Sequence, residues 1–215
     1  MIGEPIILHE YWRSSSAWRV RIALNLKGAA YTRVAHDLLA GEQRAGDYVA
    51  LAPQGLVPAL ECGGVVLTQS VAIIEWLEER IPLPSLLPPD AAGKALVRAM
   101  AGLIASDIQP LQNLRVLKAL KARFGAQQEA IDDWARHWIE QGFAALEILV
   151  VRHGEGFCHG DSPTLADCLL VPQMYNAERY QTDLSRFPAL MAVRRRCEAL
   201  PAFAAAQPSR QPEAP

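Results

Sequence analysis

The order of extended and helical patterns constrains this chain more than any single residue does. Through about residue 80 the two patterns alternate. "PIILHEYW" (Pro5 to Trp12) is rich in β-branched and aromatic residues and reads as a strand. "SSSAWRVRIALNLKG" follows as a helix in which Val20, Ala23, Leu24 and Lys27 share a face, widened by Ile22 and Leu26, with Gly28 where a helix ends. "YTRVAHDL" (Tyr31 to Leu38) is a second strand, and a polar, Gly-containing stretch with room for a short helix comes next. "VPALECGGVVLTQ" is a hairpin about Gly63-Gly64, and "SVAIIEWLEERI" a helix that Ser70 can cap. After Asp90 strand signals vanish. Long helical patterns occupy Asp90 to Gly125, kinked at Pro110, then Glu129 to Arg152 and Thr164 to Tyr180, with a shorter one from Pro188 to Leu200 and an extended tail. The Pro-rich run Pro82 to Pro89 is the linker, so residues 1–83 form an α/β domain (β-α-β-α-β-β-α) and 90–215 an all-α one.

Composition removes several classes of function. A net charge of −2 argues against tracking nucleic-acid phosphates. No apolar run approaches the ~18 residues of a membrane span, and "MIGEPIILHE" lacks a basic leader. Cys62, Cys158, Cys168 and Cys197 are scattered, without metal-ligand spacing, as expected of buried thiols in a reducing cytoplasm. None lies near the first strand-to-helix turn, so a thiol nucleophile borne by the protein is not expected there.

Five features are candidates for chemistry, each beside a plainer structural reading. Ser14, Ser15 and Ser16 exceed the one hydroxyl an N-cap needs. Val57-Pro58 opens a strand; generic odds favour a trans bond, but a cis bond beside the first turn would present backbone to an extended peptide. Gln69-Ser70 stands at a strand-to-helix handover, serving as a cap or as a carboxylate site at the head of a helix dipole. Thr164 and Asp167 form a capping-box pattern, and there the structural reading wins. Of Arg13, Arg19, Arg21 and Arg179, most should be solvated. Arg13 beside the serines and Arg179 after the most apolar helix would suit a dicarboxylate.

"SSSAWRVRIALNLKG" resembles the SSCSWRVRIALALKG-type signature of the zeta-class glutathione transferases, the maleylacetoacetate isomerase family. The likeness continues through "QSVAIIEWLEE", "DIQPLQNLRVLK", "GDSPTLADCLLVPQMYNAERYQTDL" and "RQPEAP", covering essentially the whole chain. It implies a thioredoxin-like N-terminal domain, an all-helical C-terminal domain, a homodimer, and glutathione as the working thiol. Ser14 and Ser15 are then the thiolate-activating pair, Ser14 foremost, with Ser16 in place of the family's cysteine. Gln43, the backbone of Val57 before Pro58, Gln69 and Ser70 would bind glutathione, as would Gln109, Asn113 and Arg115 of the helical domain. Arg13 and Arg179 would hold substrate carboxylates. Arg115 stands where animal members carry serine.

The resemblance implies isomerisation of maleylacetoacetate to fumarylacetoacetate, in tyrosine and phenylalanine breakdown, by reversible thiolate addition to the cis double bond. No metal is implied. The alternatives are a maleylpyruvate isomerase, a glutathione transferase or haloacid dehalogenase, and a non-catalytic glutathione-fold protein. Gln109 and Leu114 incline the reading towards maleylacetoacetate, because the maleylpyruvate branch carries histidine and arginine there.

Overall fold

The computed structural model describes residues 3–214. The chain divides into two compact units, residues 1–86 with 199–215, and residues 87–198. The second unit thus ends well before the expected residue 215, because the tail folds onto the first.

In the first unit, β1 (Ile6–Glu10), β2 (Thr32–Ala35), β3 (Ala59–Cys62) and β4 (Val65–Thr68) form one mixed sheet in the order β2-β1-β3-β4. β1 runs parallel to β2 and antiparallel to β3, and β3 turns back into β4 at Gly63 and Gly64, which both take positive φ. The alternation of β1 buries Ile6, Leu8 and Glu10 on one face and leaves Ile7 and His9 half-buried on the other.

Helix α1 (Ser15–Leu26) is capped by Ser14, whose Oγ accepts from the Ala17 N–H at 3.3 Å. It ends at Gly28 (φ 62°), where the N–H groups of Gly28 and Ala29 donate back to Asn25 and Leu24 carbonyls. A 3-10 turn (Glu42–Arg44) and α2 (Gly46–Leu51) follow, and α3 (Ser70–Arg80) packs against α1. Ser70 is the first residue of α3 and does not cap it; Gln69 occupies the N-cap position without a side-chain bond. The tail from Ala204, expected to be extended, is helical in part: α9 (Pro201–Ala206) packs along α1 and takes in the tail's first three residues, and Pro208–Arg210 form a 3-10 turn. Pro201 supplies the preset φ that a helix start favours.

Arg21 explains why the tail belongs here. It is fully buried, pairs with Glu10, and donates to the Trp12 carbonyl (2.9 Å) and the Ala206 carbonyl (3.1 Å). Arg33 pairs with Glu10 as well and reaches Glu213 at 2.7 Å. A carboxylate inside the sheet is thereby neutralised twice, and the C-terminal segment is tied to β1.

The second unit is helical: α4 (Ala91–Gly102), α5 (Leu114–Phe124), α6 (Gln128–His153), α7 (Leu165–Arg179) and α8 (Pro188–Glu198). The single kinked helix expected across Pro110 is instead two helices. After α4 the backbone widens into a π turn, Leu103–Ile108, whose end is marked by the Gln109 N–H donating to the Ile104 carbonyl. Pro110 offers no N–H, and Asn113 caps a new helix through the Arg115 N–H at 3.1 Å. Gly142 of α6 lets the π turn approach closely, for a Cβ there would lie 2.2 Å from Ile108 Cγ1.

Buried Asp167 anchors the start of α7. It accepts from the Thr164 N–H (2.8 Å) and hydroxyl (2.7 Å) and from the Cys158 N–H (2.8 Å), which makes the expected capping box the knot of this unit.

Candidate active site

Sheet register brings the sequence features of the first unit to one end. His9 pairs with Ala59, and Ala59 with Thr68. The C-terminal end of β1, the start of β3 and the C-terminal end of β4 are therefore neighbours. The serine turn leaves β1 there, Val57-Pro58 enters β3 there, and Gln69-Ser70 leaves β4 there. β2 ends at Ala35 beside Glu10, so the chain towards Gln43 departs from the same edge.

At the serine turn the two readings of Ser14 are compatible. Its backbone N–H donates to the Tyr11 carbonyl at 2.9 Å, which fixes the turn. Its hydroxyl oxygen accepts from the Ala17 N–H, and a hydroxyl that accepts keeps its proton for another partner. The Ser15 and Ser16 N–H groups head α1 with no acceptor among the described residues. The turn therefore offers a donor cluster at the positive end of a helix.

All four cysteines are free and buried. Burial pushes the Cys62, Cys158 and Cys197 thiols up, so none of these is a ready thiolate.

Val57-Pro58 is cis. The Val57 N–H and C=O have no hydrogen-bond partner among the described residues, while the preceding Leu56 carbonyl accepts from the Tyr48 hydroxyl at 2.8 Å. Burial holds the Tyr48 phenol up at about 12, so it donates as a neutral group. Tyr48 also lies against His36, with ring centroids 4.4 Å apart. His36 shares a 2.9 Å hydrogen bond with His9, whose other nitrogen meets Glu61 at 2.7 Å.

Gln69 is a non-glycine residue with φ 70°, a conformation tolerated only where the surroundings impose it and characteristic of binding sites. Its side-chain amide donates to Gln54 Oε1 at 2.5 Å. Beyond it, the uncapped N–H groups of α3 and the Ser70 hydroxyl face an end with no acidic side chain in the first turn. Gln43 Oε1 is buried without a partner, an acceptor awaiting a donor.

Arg13 stacks its guanidinium on Trp12, 5.5 Å from the ring centroid. The remaining expected site residues belong to the second unit. Gln109 ends the π turn, half-buried; Asn113 caps α5; Arg115 is exposed in its first turn. Arg179 is exposed at the end of α7 with its guanidinium 5.9 Å from the Tyr180 ring centroid.

The family profiles "Glutathione S-transferase, N-terminal domain" and "Glutathione S-transferase, C-terminal domain" match residues 13–80 and 139–201. Maleylpyruvate isomerase of Ralstonia sp is 48% identical over 96% of this chain and 98% of its own. Maleylacetoacetate isomerase of Rhizobium meliloti is 47% identical over 97% and 99%. This chain belongs to the zeta-class glutathione S-transferases. A solved zeta-class relative, a holo bacterial maleylpyruvate isomerase, superposes with a TM-score of 0.95 at 47% identity, covering 97% of this chain and all of the other. Maleylacetoacetate isomerase from Anaeromyxobacter dehalogenans, solved with glutathione in its active site, gives 0.90 at 50% identity with both chains fully covered.

In this zeta-class transferase the sequence pattern leaves three supports unmarked: Tyr48, which holds the Leu56 carbonyl before the cis bond, Gln54, which holds the Gln69 amide, and the His9–His36–Glu61 chain beside Tyr48. Arg19 and Arg21, expected among mostly solvated arginines, are both fully buried. A signal for them was present. Residues two apart on a helix point about 200° away from each other, so both cannot lie on one solvent stripe.

Proposed function

We propose that this protein is a glutathione-dependent cis–trans isomerase that converts maleylacetoacetate to fumarylacetoacetate. The observation that carries this is the Ser14 turn: a donor cluster suited to a thiolate, in a chain whose own four thiols are buried. The groups present fit glutathione, since the partnerless Gln43 Oε1, the free Val57 backbone and the open α3 N-terminus match the polar groups of an extended γ-glutamyl tripeptide.

Bound glutathione would supply the thiolate that adds to the cis double bond and departs again after rotation. The protein's part is binding, orientation and charge. Ser14 donates its hydroxyl proton to a hydrogen bond at the sulfur, aided by the Ser15 and Ser16 N–H groups and the α1 dipole. The Val57 N–H and C=O pair with the cysteinyl main chain, Gln43 accepts a donor from the peptide, and Gln69 with Ser70 takes the γ-glutamyl carboxylate. Gln109, Asn113 and Arg115 belong to the same proposed binding set. Arg13 and Arg179 are assigned to the substrate's carboxylates and to the negative charge that develops on its carbonyl oxygen. By the same reading the enzyme is a cytoplasmic homodimer of tyrosine and phenylalanine breakdown.

A second reading, isomerisation of maleylpyruvate, is favoured by the Ralstonia relative and by the exposed charge of Arg115. Neutral Gln109 and half-exposed apolar Leu114 favour the longer substrate. Side-by-side kcat/KM for maleylacetoacetate, maleylpyruvate and chloroacetate at saturating glutathione tests the assignment. A clear preference for maleylpyruvate moves the substrate, dechlorination alone moves the reaction class, and failure to be retained on immobilised glutathione removes the reading altogether.

A further inference from the structure

Arg19 lies in the middle of α1, 1% exposed. Its Nη1 donates to Ser70 Oγ at 3.4 Å, while its Nε and Nη2 have no hydrogen-bond partner. No carboxylate pairs with it among the described residues. Burial alone lowers its pKa, to about 10, which still leaves it charged at neutral pH. Arg21, two residues on and equally buried, has Glu10, the Trp12 carbonyl and the Ala206 carbonyl. The same helix therefore shows what a fully satisfied structural arginine looks like, and Arg19 is not one. A buried cation without a counter-charge is costly unless a ligand completes it.

The geometry points to Arg19 as a positioning residue for an anionic ligand group at the head of α3, which on the reading above is the γ-glutamyl α-carboxylate of glutathione. Two physical effects follow from the one contact. Ser70 Oγ accepts from Arg19, so the hydroxyl proton is left to donate away from the guanidinium, towards the carboxylate. The uncompensated positive charge stands behind that hydroxyl in a low-dielectric interior and adds to the field of the α3 N–H groups. This inference rests on glutathione being the ligand, and the test separates the two.

Affinity is measured by calorimetry on the full chain for two probes: glutathione, and 4-aminobutanoyl-cysteinylglycine, which is glutathione without that one carboxylate. The wild type binds glutathione about tenfold or more tightly than the analogue, the size of one charge-assisted contact. Arg19→Met loses most of that preference by weakening glutathione alone, and leaves analogue affinity within about twofold. Arg19→Lys, which keeps the charge, retains a preference intermediate between the two. Ser70→Ala, with Arg19 intact, weakens glutathione more than the analogue. The melting temperature of unliganded Arg19→Met does not fall, while the rise produced by glutathione shrinks. The proposal is overturned if Arg19→Met weakens both probes equally, if it keeps the wild-type preference, or if its unliganded melting temperature drops as for a broken structural contact. A wild type that binds both probes alike overturns the role of Arg19 and leaves glutathione binding standing. A wild type that binds neither overturns both.

Discussion

Replacing Ser14 by alanine separates two jobs that one hydroxyl performs. As a cap, its oxygen accepts from the Ala17 N–H at 3.3 Å, at the long end of hydrogen bonding, in a half-buried turn. That places its stability contribution at the low end of the range for caps, about 0.5–1 kcal/mol. For a chain of this size that is a fall of about 1–4 °C in thermal midpoint. As a donor to a thiolate, the same hydroxyl makes a charge-assisted bond worth about 1.5–3 kcal/mol. Losing it should raise the midpoint of thiolate formation for bound glutathione by roughly 1–2 pH units. If the donor also holds charge in the transition state, turnover falls about 10²–10³-fold. The assay is ultraviolet thiolate absorbance of the glutathione complex against pH, in Ser14→Ala and wild type, with a melting curve of each. An unchanged thiolate titration beside a lowered melting point would leave Ser14 a cap only and pass the donor role to Ser15 or Ser16.

Three further outcomes are expected. Thr164→Ala removes one of the donors to buried Asp167 and should cost about 1–2 kcal/mol, lowering the thermal midpoint by about 2–8 °C while activity per folded molecule holds; lost activity at a normal midpoint would contradict the structural role. Arg21→Ala leaves buried Glu10 with Arg33 as its remaining ion pair and strips the Trp12 and Ala206 carbonyls of their donor, and should cost about 3 kcal/mol, with faster amide exchange across Ala202 to Ala206, and an unchanged urea midpoint would refute it. Burial, and then His9, hold the His36 pKa below 6.5, so between that lowered value and 6.5 the unfolded chain binds more protons. Stability should therefore fall as pH drops from 6.5 through that window, and His36→Asn should flatten the profile between pH 7 and 5; an identical slope in both proteins would show that other groups set it.

Much of the first unit was legible because local and global signals agree in it. Alternating apolar residues set β1, Gly63-Gly64 set the hairpin, Gly28 ended α1, and each feature survives packing unchanged. What escaped depends on contacts distant in sequence. The tail reads as extended because "AAAQPSRQPEAP" holds prolines and few large apolar residues; its first three residues instead close α9, where Asn25 and Arg21 of α1 donate to the Ala202 and Ala206 carbonyls, and Pro208–Arg210 form a 3-10 turn. At Pro110 the sequence announces a missing hydrogen bond but not its remedy. The choice between a kink and a new start was made by the Asn113 cap and by the room Gly142 leaves for the π turn. Ser70 reads as a cap because serine favours that position; the structure gives the position to Gln69 at positive φ and leaves the Ser70 hydroxyl to accept from Arg19.

That last exchange and the two buried arginines share a cause. A helix selected only to pack would place apolar residues at both 19 and 21, since neither side of α1 at that level meets water. Two guanidiniums there break the binary pattern, and a broken local rule needs a compensating gain. For Arg21 the gain is visible within the protein, in Glu10 and two backbone carbonyls. For Arg19 the protein supplies only the Ser70 hydroxyl, itself released from capping by the strained Gln69. Beside the strained Gln69, the unpaired cation at Arg19 and the undonated proton of the Ser70 hydroxyl would both be completed by one arriving carboxylate. The first unit is accordingly least self-sufficient at the point where it is best suited to bind an anion.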